Sequence, residues 1–165
     1  MHRVILALML ALSACAAPAP PTVVFRKAEV PIYSAAAFQP AQIAGRWNQV
    51  AGYQATARGR CGAGGLEFRP APGGLAVDGV LCLNGAERPV SGLVTPNGPG
   101  RLAVEGQEDW WILWVDSGYR TLAIGTPSGR FGFVLDRGAA AGDRLAAARE
   151  IFDFNGYVAG ALRAF

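Results

Sequence analysis

From Ile43 to Arg137, short runs of alternating apolar and polar residues break about every ten residues at Gly, Pro and Asn. This is the pattern of half-buried strands joined by turns. Strands are predicted near 45–56, 60–69, 75–83, 87–95, 100–106, 109–116, 119–125 and 129–137, with breaks at PAPGG, NGA, PNGPG, GQE, SG and TPSG. Eight consecutive strands on short connections make an up-and-down antiparallel sheet. Closing it into a β-barrel removes its exposed edges, and strand glycines suit the tight curvature. The pattern then changes. In AAAGDRLAAAREIFDFNGY, Leu145, Ala148, Ile151 and Phe152 recur at helical spacing and Asn-Gly ends the run, so one C-terminal α-helix is predicted. The fold class is therefore all-β, an eight-stranded up-and-down antiparallel β-barrel with that α-helix packed outside.

The hairpin region 109–137 carries most of the large side chains. A turn centred on Ser117-Gly118 sets Trp114 opposite Thr121 and Ile112 opposite Ala123. A second turn centred on Pro127 sets Phe131 opposite Ala123 and Phe133 opposite Thr121. Trp110, Ile112, Trp114, Thr121, Ala123, Phe131 and Phe133 then share one face, and Trp111, Leu113, Val115, Leu122, Ile124 and Val134 share the other. Both faces are apolar, so both need cover. The first, with large aromatics opposed to small Thr and Ala, suits the wall of a cavity. The second suits a helix lying across the outside. The candidate ligand-binding residues are thus Trp110, Ile112, Trp114, Thr121, Phe131 and Phe133, with Phe68 from the second strand. An eight-stranded barrel holds either packed side chains or one small ligand, and residue types leave both open.

Residues 1–14 read as a secretory signal, with a basic start (His2, Arg3), an apolar run Val4–Leu12 and small residues at a cleavage point. The run is too short to span a bilayer permanently. LSAC, ending at Cys15, resembles the lipobox of bacterial lipoproteins, in which the cysteine becomes the lipidated first residue. Ala16 after it resembles lipoproteins passed on to the outer membrane. Residues 15–40 follow as a Pro/Ala-rich tether without periodicity, in which the apolar VVF is a candidate for docking, and residues 41–165 form one domain.

Fifteen Lys and Arg stand against 12 Asp and Glu, and Arg3 leaves with the signal. The remaining bases are scattered singly, a poor footprint for nucleic acid. His2 is the only histidine, so the mature chain has no His-based triad and no His-ligated metal. No metal or cofactor is implied. With Cys15 lipidated, Cys61 and Cys82 remain in an oxidising compartment, where such a pair is normally a disulfide. Pairing the strands around residues 71–72 sets them opposite each other; the alternative is two free buried thiols.

Gly45-x-Trp47 at the start of the first strand, the Asp116…Tyr119 turn and Arg137 at the end of the eighth strand resemble the three signature regions of the lipocalins. The C-terminal helix and YRTLAIGTPSGRFGFVLDR are similar to bacterial lipocalins, which are outer-membrane lipoproteins. Residues 40–160 carry the resemblance. Asn48 and Gln49 stand where bacterial members usually have Tyr and Glu, and Gly118 where the turn is usually acidic. The resemblance implies that Trp47 plugs one end of the barrel under Arg137, and that Gly45 allows close approach. It also implies a chain anchored by lipid at the periplasmic face of the outer membrane. Its expected role is binding or transport of a small hydrophobic ligand, a fatty acid, lysophospholipid or similar lipid. Arg58, Arg60 and Arg101 are candidates to meet an acidic head. A lipocalin-like enzyme is the alternative, with Asp78, Glu87, Glu105, Glu108 and Asp109 as the available carboxylates, as is an envelope protein with a filled barrel. The expectation is a non-enzymatic protein without catalytic residues.

Overall fold

The computed structural model describes residues 22–56, 61–139 and 142–165. The expected signal peptide, Cys15, Arg58 and Arg60 lie outside the described residues.

Eight antiparallel strands close into a barrel. They are β1 (Gly45–Tyr53), β2 (Gly65–Ala71), β3 (Gly74–Leu83), β4 (Ala86–Pro96), β5 (Arg101–Val104), β6 (Trp110–Val115), β7 (Thr121–Gly125) and β8 (Gly132–Asp136). Each pairs with the next, and β1 closes the ring by pairing with both β2 (Trp47 opposite Leu66) and β8 (Asn48 opposite Asp136). One end, where β1 begins and β8 finishes, is covered by a 3₁₀ turn, Pro40–Ile43. The other end carries the β1–β2, β3–β4, β5–β6 and β7–β8 connections and is the open end.

A ninth strand, β9 (Leu162–Ala164), was not expected from the sequence. It pairs with the upper half of β1, Tyr53 opposite Leu162 and Ala51 opposite Ala164. That edge of β1 is therefore taken above Asn48, which explains why β2 starts at Gly65 and not near residue 60. Cys61 consequently lies ahead of β2, not within a strand, and its disulfide to Cys82 ties the β1–β2 loop to the end of β3 with Cα atoms 5.7 Å apart. A bridge closing a loop of 21 residues contributes about 3 kcal/mol. Gln49 closes the same seam. Its side-chain amide donates to the Cys82 carbonyl (2.8 Å) and its oxygen accepts from the Cys82 N–H (2.7 Å), so a side chain stands in for a missing strand.

The predicted helix is α1 (Gly142–Phe154), ended by Asn155 and a Gly156 at φ 82°. It lies outside the barrel, burying Ala148 and Phe152 against Tyr53, Leu113, Ala123, Val134 and Tyr157. Gly132 permits this approach, because a Cβ there would stand 2.6 Å from Tyr53 and 3.1 Å from Phe152. The first turn of α1 is pinned by a buried carboxylate. Asp136 accepts from the Thr121 hydroxyl (2.6 Å) and from Arg144 Nη2 (3.1 Å). Tyr157 is buried between helix and barrel, where desolvation pushes its hydroxyl up to about 12; it accepts the Thr126 N–H and lies 2.8 Å from the Phe131 carbonyl.

Part of the stretch expected to be tether is packed on the domain. Phe25 is buried under the α1 side and Phe38 at the closed end. Phe25 N–H donates to Gly129 O (2.8 Å), Arg26 forms a β-bridge with Tyr157, and Ala35 N–H donates to Ile112 O (2.7 Å).

Candidate functional site

At the closed end, Trp47 is 1% exposed and its indole N–H donates to Ile43 O (2.7 Å). The Arg137 guanidinium lies 4.1 Å from the ring centroid, and burial draws its pKa down from the usual value. It donates to the Gln42 carbonyl (3.0 Å) and, at longer range, to Arg46 and Tyr119. Gly45 has φ 102°, and a Cβ there would stand 2.8 Å from Arg137 Nη1. The glycine thus makes room for the arginine and supplies a left-handed backbone that a side chain resists. Tyr119, also left-handed at φ 49°, accepts the Gln39 N–H through its hydroxyl and stacks on Phe38. This end is a plug.

The turn beside it is held by Asp116. Burial alone would raise its pKa, but N–H groups of Thr121, Arg120 and Gly118 and the Arg120 side chain outweigh this and hold it below the ordinary carboxylate value. Since the folded pKa is the lower one, the stabilisation is complete above the unfolded pKa of about 4 and is lost as pH falls through the folded value. Asp116→Asn should cost about 1–2 kcal/mol at pH 7. The difference from wild type in urea denaturation should shrink below pH 4.

The barrel interior is filled. Trp47, Phe68, Leu81, Leu102, Trp110, Ile112, Leu122, Ile124, Phe133 and Leu135 form one cluster with each residue at most 2% exposed. A water-filled void would expose its lining, so none opens among these side chains. Trp110 meets Phe133 edge-on at 5.3 Å.

Of the residues expected on the binding wall, Phe68, Trp110, Ile112 and Phe133 do point inward, into this packed core, and Phe131 stands at its open-end rim. Trp114 and Thr121 do not. Trp114 packs in the outer cluster under α1, and Thr121 belongs to the Asp136–Arg144 knot. Leu122, Ile124 and Val115 take the inner face instead. Two physical causes account for the exchange. A β-bulge at Leu113, between the pairs Ile112–Ile124 and Trp114–Ala123, reverses the alternation within β6. The β7–β8 register, with Ala123 opposite Val134 and not Phe131, shifts by an odd number of residues and turns β7 over relative to β8.

A cleft of about 360 Å³ opens at the other end. Leu83 and Phe131 give it an apolar floor, and Arg88, exposed Pro89, Gln107, Glu108 and Arg130 line its rim. Glu108 is engaged, accepting from Ser128 (2.8 and 2.6 Å) and Arg130 (3.3 Å). Arg88 lies opposite Leu81 in the β3–β4 register, hence on the inward face, and forms no ion pair among the described residues. It was missed in the sequence, although its spacing of two from the inward Val90 signals its side. Arg101 stacks on Trp111, its ring centroid 4.0 Å away, and is not part of the cleft.

No family model matches the sequence, and no curated protein matches it. Among solved structures, lobster apocrustacyanin A1 superposes with a TM-score of 0.59 at 14% identity over 88% of this chain and 91% of its own. The siderocalin Ex-FABP, described as acting through dual ligand specificities, gives 0.57 at 14% identity over 75% and 93%. Apocrustacyanin C1 gives 0.56 at 15% over 82% and 88%. The fold is that of the lipocalins. In this lipocalin fold, one end is plugged and the other bears the cleft.

The remaining expected groups take no joint position. Asp78, Glu87 and Glu105 are exposed, and Asp109 accepts from Asn97 (2.8 Å). Among the described residues no cluster of His, Cys, Asp or Glu is arranged to hold a metal, and no helix is long and apolar enough to cross a membrane. A second, mainly apolar groove of about 420 Å³ lies outside the plugged end between Pro40, Pro70, Leu75 and Pro96, without a charged group to orient a ligand.

Proposed function

We propose that this chain is a non-enzymatic binding protein for a small amphipathic ligand, a fatty acid or lysophospholipid, tethered through lipidated Cys15 to the outer membrane on its periplasmic side. The open-end cleft carries this reading: an apolar floor with one inward-facing arginine that forms no ion pair among the described residues matches an apolar chain with an acidic head. The lipocalin fold supports a binding role, since a structural neighbour, the siderocalin, is described by its ligand specificities. Leu83 and Phe131 bury the tail near the headgroup, and Arg88 meets the carboxylate or phosphate by a charge-assisted hydrogen bond. The ligand sits in the mouth, since the interior below it is occupied by Phe133 and Trp110. The buried carboxylates among the described residues, Asp116 and Asp136, are engaged in structural hydrogen bonds, which supports a binding role over an enzymatic one.

Calorimetric titration with oleate and with lysophosphatidylcholine tests the proposal. Both should bind to the wild-type protein, and Arg88→Ala should weaken oleate about tenfold, the loss of one hydrogen bond to a charged group. Absence of heat with either lipid overturns the reading. That result would favour a second one, an envelope lipoprotein that engages a protein partner, to which the packed interior is equally suited.

A further inference from the structure

We propose that the open end of the barrel, with the adjoining end of α1, rests on the membrane surface, so that the cleft takes its ligand directly from the bilayer. This rests on the reading of Cys15 as the lipidated anchor. The first described segment docks at the open end, not the plugged one. Phe25 donates to Gly129 in the β7–β8 loop and Arg26 reaches Pro127 of the same loop, whose Arg130 and Phe131 line the cleft. From Cys15 to Thr22 there are seven peptide steps, at most about 25 Å of chain. β1 has nine residues, which at the usual strand tilt make the barrel about 20–25 Å long. A tether fixed at the open end reaches the bilayer directly when that end faces it, whereas the plugged end could face the bilayer only with all seven steps drawn straight along the barrel wall.

The distribution of exposed apolar side chains agrees with this placement. Among the described residues, Val23, Val24, Tyr33, Phe154 and Val158 are five of the seven large hydrophobics left exposed. They gather around the docked segment. Val158 N–H donates to Phe25 O, Tyr33 N–H donates to the Asn155 side chain, and the Tyr33 and Phe154 rings are 5.8 Å apart. An apolar patch of this kind on a soluble face marks an interaction surface, and a chain held within the reach of its own anchor has the headgroup layer as that partner.

The test uses the lipidated full chain in phosphatidylethanolamine–phosphatidylglycerol vesicles. A donor dye is placed at Gln107→Cys, on the open end, or at Arg69→Cys, toward the plugged end, with an acceptor dye on lipid headgroups. The Gln107 label should transfer energy several-fold more efficiently than the Arg69 label. Equal transfer, or the reverse order, overturns the orientation while leaving the anchor standing. Intact-mass measurement of the same preparations separates the two, because a chain without acyl groups on Cys15 overturns the anchor and with it this placement. Neither result bears on whether the cleft binds oleate in solution.

Discussion

Trp47→Ala is expected to lower the free energy of unfolding by about 3–5 kcal/mol, as removal of a buried aromatic does when the surroundings cannot collapse. Collapse is resisted here. The ring lies between Ile43 of the 3₁₀ turn and Leu66 of β2, donates its N–H to a backbone carbonyl, and is capped by Arg137. Alanine leaves the Ile43 carbonyl without that donor and removes a cation–π contact of about 1–2 kcal/mol from a partly desolvated guanidinium. Arg137 keeps its contacts with Gln42 and Arg46, so the end loosens without a new unpaired charge. The cleft is at the opposite end of the barrel. The urea midpoint should therefore fall steeply while the affinity for oleate, measured below the transition, stays within twofold of wild type. An unchanged midpoint with lost binding would make Trp47 a ligand contact and would refute its role as a plug.

What the chain revealed in advance follows from the range of the forces involved. Strand and helix identity depend on local periodicity, and the eight strands and α1 follow the apolar alternation and the Asn-Gly stop. The signature positions were visible too, although the physical content of one was not. Gly45 was expected only to permit close approach, whereas its Cβ position is filled by Arg137 from the far end of the chain. Side-chain facing is a long-range property. One extra residue at Leu113 moved Trp114 from the inner wall to the outer, and no residue type in WWILWV marks the bulge. β9 spans three residues, too few to show a period, and it in turn decided where β2 begins. Gln49 appeared in the sequence as a departure from the lipocalin pattern; in the fold it is the group that bridges β1 to β3 at the seam left open by β9. Arg88 escaped notice for a related reason. Its spacing of two from Val90 pointed inward, but its place at the exposed start of β4 reads equally as a solvated strand end until the pairing with Leu81 is seen.

Phe133→Ala addresses the packed interior and should cost about 3–5 kcal/mol. Phe133 is fully buried, pairs across β7 with Ile124 and meets Trp110 edge-on. Its β-strand backbone is held between β1 and β7, so the walls cannot move in to fill the space. The void would be lined by aliphatic and aromatic groups and remain dry, and dry apolar cavities of this kind accept small apolar molecules. Two measurements together are decisive. In the variant, benzene should raise the melting temperature increasingly with its concentration, whereas wild type should show no such rise. Oleate affinity should change little, because the tail lies above Phe133 between Leu83 and Phe131. If wild type already takes up benzene, or if Phe133→Ala lowers oleate affinity tenfold at unchanged stability, Phe133 moves aside for ligand. The barrel interior, not its mouth, would then be the binding site.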